Sequence, residues 1–201
     1  MKKMKKKWIV LLVIVIVLVA AVITWVLFFP VSLFKNTSSD NVNALQTEID
    51  IINKYPTDMI VYGDKIDFAQ TGISIRTIDS ITEKNLERSS KYIYSYIIIN
   101  DMNNNIKLTD GEINLIYDYI YKKGYNLIYF GTQYYAVWND PLQAIADIDE
   151  SHAVAYQCEN GNIVRVVGMW TNQELEIYKD DPTILSDTII MQVADMIERN
   201  N

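Results

Sequence analysis

Apolar and polar positions divide this chain into one long hydrophobic run and a series of shorter, periodic ones. Trp8 to Phe29 is a run of 22 residues without a charge. As a helix it is about 33 Å long, enough to cross the hydrocarbon core of a bilayer. After a polar linker, Val31 to Asp40, the residues Val42, Leu45, Ile49 and Ile52 recur at helical spacing until Pro56. That spacing is also a coiled-coil seam, but it lasts less than two heptads. Packing on its own domain explains the stripe better, and a homo-oligomer is only weakly supported. Asp58-Met59-Ile60-Val61-Tyr62 reads as a strand. Lys65 to Thr71 leaves room for a turn or two of helix before Ile73, Ile75 and Thr77, which alternate with polar residues as in an edge strand. Thr82 to Ser90, with Leu86 its one large apolar residue, is a surface connection or short helix.

The stretch from Tyr94 to Gly131 predicts a β-α-β unit. Tyr94 to Asn100 is a nearly unbroken apolar and aromatic run, the pattern of a strand buried on both faces. Thr109-Asp110-Gly111-Glu112 is a capping box that opens a helix. Ile113, Ile116, Tyr117 and Ile120 form its apolar stripe, and Lys122-Lys123-Gly124 its basic last turn and left-handed stop. Asn126 to Gly131 is the next strand, and the short joints predict a right-handed crossover.

Asp140-Pro141 marks a further helix start, with Leu142, Ile145 and Ala146 inward. His152 to Glu159 and Asn162 to Trp170 flank Asn160-Gly161, a hairpin turn. A two-residue turn there sets Cys158 opposite Ile163 and Tyr156 opposite Arg165. Asp181-Pro182 opens a last helix with Ile184, Leu185, Ile189, Val193 and Met196 as its core stripe. The expected fold is an α/β sandwich. Its mostly parallel sheet includes 58–62, 94–100 and 126–131, and a C-terminal β-hairpin, 152–170, lies at one side.

Charge adds direction to this layout. Five lysines fall within residues 1–7, before the apolar run, and bulky Trp25 to Pro30 occupy the place where a signal peptidase needs small residues. The chain therefore reads as a cytoplasmic basic tail (1–7), an uncleaved transmembrane signal anchor (8–29), a linker with a short amphipathic helix (30–57) and an extracytoplasmic domain (58–201). Beyond the tail, 13 basic residues face 25 acidic ones, a net of −12. That balance excludes nucleic acid as a partner and leaves no basic patch for anionic lipid. With a single cysteine there is no internal disulfide and no CxxC zinc or redox site.

The central residues, Tyr94 to Asn100, Leu108-Thr109-Asp110-Gly111-Glu112 and Tyr119 to Gly131, resemble the class I glutamine amidotransferase-like superfamily. The resemblance covers about 40 residues closely and implies a flavodoxin-like three-layer sandwich. Active members carry a nucleophilic cysteine on the turn after the strand that ends here at Gly131; this chain has Thr132-Gln133-Tyr134 instead. The resemblance thus implies the fold without the catalytic cysteine.

No catalytic residue is identified. Cys158 and His152 lie six residues apart on one strand, about 20 Å, too far for a nucleophile-base pair. No Gly-x-Ser-x-Gly elbow, phosphate loop or HExxH motif is present. Two groupings remain. Asp64, Asp101, Thr132 and Gln133 follow three predicted strands and gather at the carboxyl edge of a parallel sheet, where such sheets bind ligands. Tyr134, Tyr135 and Trp138 form an aromatic cluster suited to a partner interface. The expected function is a membrane-anchored, extracytoplasmic, non-catalytic binding or scaffolding domain of a bacterial cell envelope, without cofactor or metal, whose partner is an envelope protein. The alternative is a degenerate amidotransferase-like hydrolase or a metal-dependent enzyme using the edge carboxylates.

Overall fold

The parallel pairings follow from strands whose residues are apolar on both faces. In the computed structural model, which describes residues 40–68, 73–134, 137–138 and 151–201, Thr57–Gly63 (β1) lies between Ile75–Ile78 (β2) and Tyr94–Asp101 (β3), parallel to both. Asn126–Gly131 (β4) continues the sheet parallel to β3. Ser151–Glu159 (β5) pairs antiparallel with β4, and Asn162–Thr171 (β6) antiparallel with β5. The order is β2-β1-β3-β4-β5-β6, a mixed sheet with β2 at one edge, where alternation placed it.

Helices cover the two faces because successive strand residues point to opposite sides. One face carries Met59, Val61, Tyr96, Ile98, Ile128 and Phe130, packed with Ile49 and Ile52 of Asp40–Lys54 (α1) and with the last helix, Pro182–Arg199 (α5). The other carries Ile60, Ile97, Ile99, Leu127 and Tyr129, packed with Ile116, Tyr119 and Ile120 of Asp110–Lys123 (α3). The four-residue helix Glu83–Leu86 (α2) adds Leu86, fully buried, to that second cluster. Helix α1 from Leu45 onward belongs to the same compact unit as the strands, and its Leu45, Ile49 and Ile52 pack into that unit's own core.

The local punctuation behaves as its chemistry dictates. Thr109 Oγ1 accepts from Glu112 N at 3.3 Å while Glu112 Oε2 accepts from Thr109 N at 2.8 Å. Gly124 ends α3 in the left-handed region at φ 69°. Asp181 caps α5 through Thr183 N and Ile184 N. Asn160 and Gly161, both at positive φ, form the hairpin turn.

Three expectations change. Cys158 does oppose Ile163, but a bulge at Val164 shifts the register, so that Gln157 opposes Arg165 and Tyr156 opposes Val166. A helix absent from the sequence reading, Asn172–Tyr178 (α4), follows β6 directly, opened by a capping box of Thr171 and Glu174. Tyr134 and Trp138 are buried, at 8% and 1% exposure, inside the cluster beneath α3. They pack in the core, against the residues of that cluster, rather than standing on an exposed partner surface. Tyr135, the basic tail, the apolar run 8–29 and the Asp140-Pro141 helix lie outside the described residues. Among the described residues no helix is long and apolar enough to cross a membrane.

Candidate functional site

Parallel strands end together, and their ends build the edge on which Asp64, Asp101, Thr132 and Gln133 meet. The pairings Gly63 with Asn100 and Asp101 with Gly131 put the loops after β1, β3 and β4 side by side. Strand order reverses between β1 and β3, the place where open α/β sheets leave a crevice. The approach is tight. Gly63 sits at φ +104°, and a Cβ there would meet Asn100 O at 2.3 Å, so only glycine lets the loop pass.

The polar groups of this edge are turned on one another. Asp64 N donates to Asn100 O at 2.9 Å, and Asn100 Nδ2 donates to Asp64 O at 3.1 Å. Asp64 Oδ2 accepts from Asn103 Nδ2 at 2.9 Å. Thr132 Oγ1 donates to Asn104 Oδ1 at 2.8 Å, across from β4 to the loop after β3. Asn104 stands at φ 53°, a conformation that asparagine tolerates better than most residues. Gln133 is exposed.

Asp101 is different in kind, since it is wholly buried. Its Oδ1 accepts from Ile106 N at 2.9 Å, and the Tyr129 hydroxyl points at Oδ2 from 3.5 Å. Tyr129 OH also accepts from Tyr134 N at 2.9 Å, and Tyr134 OH accepts from Leu108 N at 2.6 Å. A chain of polar contacts thus stitches the loops after β3 and β4 together from below. Burial pushes the Asp101 carboxyl above the usual range and Asp64 adds to this, against the pull of the Ile106 and Asn105 N–H groups. Burial likewise pushes the Tyr129 phenol up.

A carboxyl whose folded pKa is raised contributes its full stability below the unfolded value and loses it as pH rises through the folded one. Asp101→Asn keeps an acceptor for Ile106 N and removes the titration. The variant is expected to lose less stability than the parent between about pH 4 and about pH 7 in urea titrations. Equal losses in both would count against the raised carboxyl.

Cys158 is buried on β5, its thiol donating to Ile120 O at 3.0 Å and pushed up in pKa by burial. It is a packed side chain rather than an exposed nucleophile. Among the described residues, no three or more His, Cys, Asp or Glu side chains converge as a metal site.

Two concave surfaces that sequence reasoning did not find lie elsewhere. A cleft of about 480 Å³ at the opposite edge of the sheet is lined by Arg88, Lys123, Asn126, Glu159 and Arg199 among others. Lys123 and Arg199 sit in the last turns of α3 and α5, where they offset the negative helix ends. A second, apolar groove runs between β6 and α5. Its walls come from residues far apart in sequence, so no local pattern announces it.

No family model matches this chain, and neither a curated protein nor a solved structure does.

Proposed function

We propose that this chain is a membrane-anchored, extracytoplasmic binding or scaffolding module of a bacterial cell envelope that carries out no chemistry. In this reading residues 8–29 hold it in the bilayer, and its domain is a flavodoxin-like three-layer sandwich. It resembles the glutamine amidotransferase-like superfamily but has Thr132 where the nucleophile would stand. One observation carries the reading. Both carboxylates of the carboxyl edge are engaged in holding loops, Asp64 with Asn103 and Asp101 with Ile106. A catalytic pair would instead face a shared substrate space.

The buried, raised carboxyl of Asp101 is what favours the rival, a metal-dependent or hydrolytic enzyme, because such a group can act as a general acid. Full-length protein in mild detergent separates the two. A binding module recovers an envelope partner in a pull-down and keeps it with Asp64→Asn, and Mg²⁺ or Mn²⁺ shifts its melting temperature by less than about 1 °C. Metal stabilisation of several degrees that Asp64→Asn abolishes, together with turnover of an amide or ester, would establish the enzyme.

A further inference from the structure

The cleft at the edge where β3 and β4 begin has two unlike walls. On the α3 side, Lys123 and Arg88 stand over a pair of buried tyrosines: Lys123 Nζ lies 3.8 Å from the ring centroid of Tyr119, and the Arg88 guanidinium 5.6 Å from that of Tyr125. The two rings meet edge to face at 5.0 Å, and their hydroxyls donate to Glu83 O at 3.0 Å and Leu86 O at 2.9 Å. Fixed rings hold both cations in place. Arg88 also donates to Ile93 O at 3.0 Å, but neither cation forms an ion pair among the described residues. Glu83 acts on Lys123 only from beyond contact. Lys123 offsets the end of its own helix, whereas Arg88 comes from outside α3 and leaves this wall positive.

The facing wall is acidic. Glu159 belongs to the α5 side, since Gln157 Nε2 donates both to its Oε1, at 3.4 Å, and to Asn200 Oδ1, at 2.6 Å. It too forms no ion pair among the described residues, and the carboxyl end of α5 adds partial negative charge beside it. Arg199, on this side, already has Asp195 for its countercharge, at 2.8 Å, which it shares with Arg165.

Between the walls the floor offers a donor. Asn126 is 2% exposed, and its Oδ1 accepts from Cys158 N at 2.9 Å, which fixes the amide. Its Nδ2 has no partner among the described residues and is not sealed from solvent. The volume, about 480 Å³, is that of a small-molecule site. A plain anion would meet Glu159 there, and a plain cation would meet Arg88 and Lys123. A molecule carrying both charges satisfies each wall.

We infer that this cleft binds a zwitterion of amino-acid or short-peptide class, its carboxylate held by Arg88, Lys123 and the Asn126 amide and its ammonium by Glu159 and the carbonyl end of α5. Arginine pairs with a carboxylate through charge-assisted hydrogen bonds of fixed direction, which orients the ligand as well as holding it. The site lies at the opposite edge of the sheet from Asp64 and Asp101, so it stands whatever those carboxylates do.

The test titrates full-length protein in mild detergent, by calorimetry, with glycine, alanyl-alanine, N-acetyl-alanyl-alanine and alanyl-alanine amide. Glycine and alanyl-alanine separate a free amino acid from a peptide, and at least one of them should bind saturably. Either cap should weaken alanyl-alanine about tenfold. Glu159→Gln should bring the zwitterion level with its acetylated form, and Lys123→Gln should bring it level with its amide. Both side chains are exposed, so both variants keep the parent melting temperature within about 2 °C. Lys84→Gln, at an exposed position on α2, should leave binding unchanged. No saturable binding of glycine or alanyl-alanine up to about 10 mM, or parent affinity in both Glu159→Gln and Lys123→Gln, overturns the site. Acetylated peptide that binds as tightly as the free one overturns the zwitterion in favour of a plain anion.

Discussion

Trp138→Ala is expected to lower the unfolding free energy by about 4 kcal/mol, the range for emptying a buried aromatic site. The indole is 1% exposed, with its ring centroid 5.6 Å from that of Tyr117 on α3 and 6.1 Å from that of Tyr129 on β4. It joins the segment after β4 to the helix and the sheet at once. Its Nε1 has no partner among the described residues, so Trp138→Phe should cost much less, because it removes an unmet donor along with part of the volume. Urea titration of both variants checks this. A cost below about 1 kcal/mol for the alanine variant, with partner recovery lost, would return Trp138 to the surface role that its sequence context suggested.

Arg76→Met is expected to cost about 3 kcal/mol. Asp58, at the start of β1, is 1% exposed, and Arg76 on β2 supplies its countercharge at 2.8 and 3.2 Å. The same guanidinium donates to Asn85 O at 2.7 Å and Glu87 O at 3.2 Å. It therefore ties the edge strand, its neighbour and the end of α2 through one rigid fork. Removing it strands a buried carboxylate, which costs more than the pair is worth. The figure sits at the low end because the arginine side chain is 38% exposed and screened by water. Asp58→Asn combined with Arg76→Met should recover part of the loss. A cost near zero for Arg76→Met alone would mean that water reaches Asp58.

These two positions also show where sequence reading stops. Capping boxes, a left-handed glycine, Asn-Gly and Asp-Pro are local chemistry, so β3, α3, β4, the hairpin turn and the start of α5 lie where their residues put them. The gathering of Asp64, Asp101 and Thr132 on one edge was legible too, since it needs only parallel strands. What those groups bond to was not. Whether Asp101 faces a ligand or Ile106 N depends on the path of the loop after β3, and a polar loop has no periodicity to read. The bulge at Val164 breaks the alternation that a two-residue turn implies, and no residue in the run marks it. Helix α4 did carry its mark, Thr171 and Glu174, but the box starts on the last residue of a strand. The burial of Tyr134 and Trp138 and the β6–α5 groove arise from distant segments meeting.

The two faces of the sheet draw on the chain very differently. The face beneath α3 is assembled almost wholly from residues between Thr57 and Trp138, with the hairpin added at its side. The opposite face of β1, β3 and β4 is covered by α1, which precedes the strands, and by α5, which begins only at Pro182. A nascent chain emerging from its amino terminus can therefore bury one side of its central strands while the other has only α1 to cover it until α5 arrives. During that interval the apolar surface that α5 will cover is open to chaperones and proteases. Completion of that face therefore waits until Pro182–Arg199 has left the ribosome.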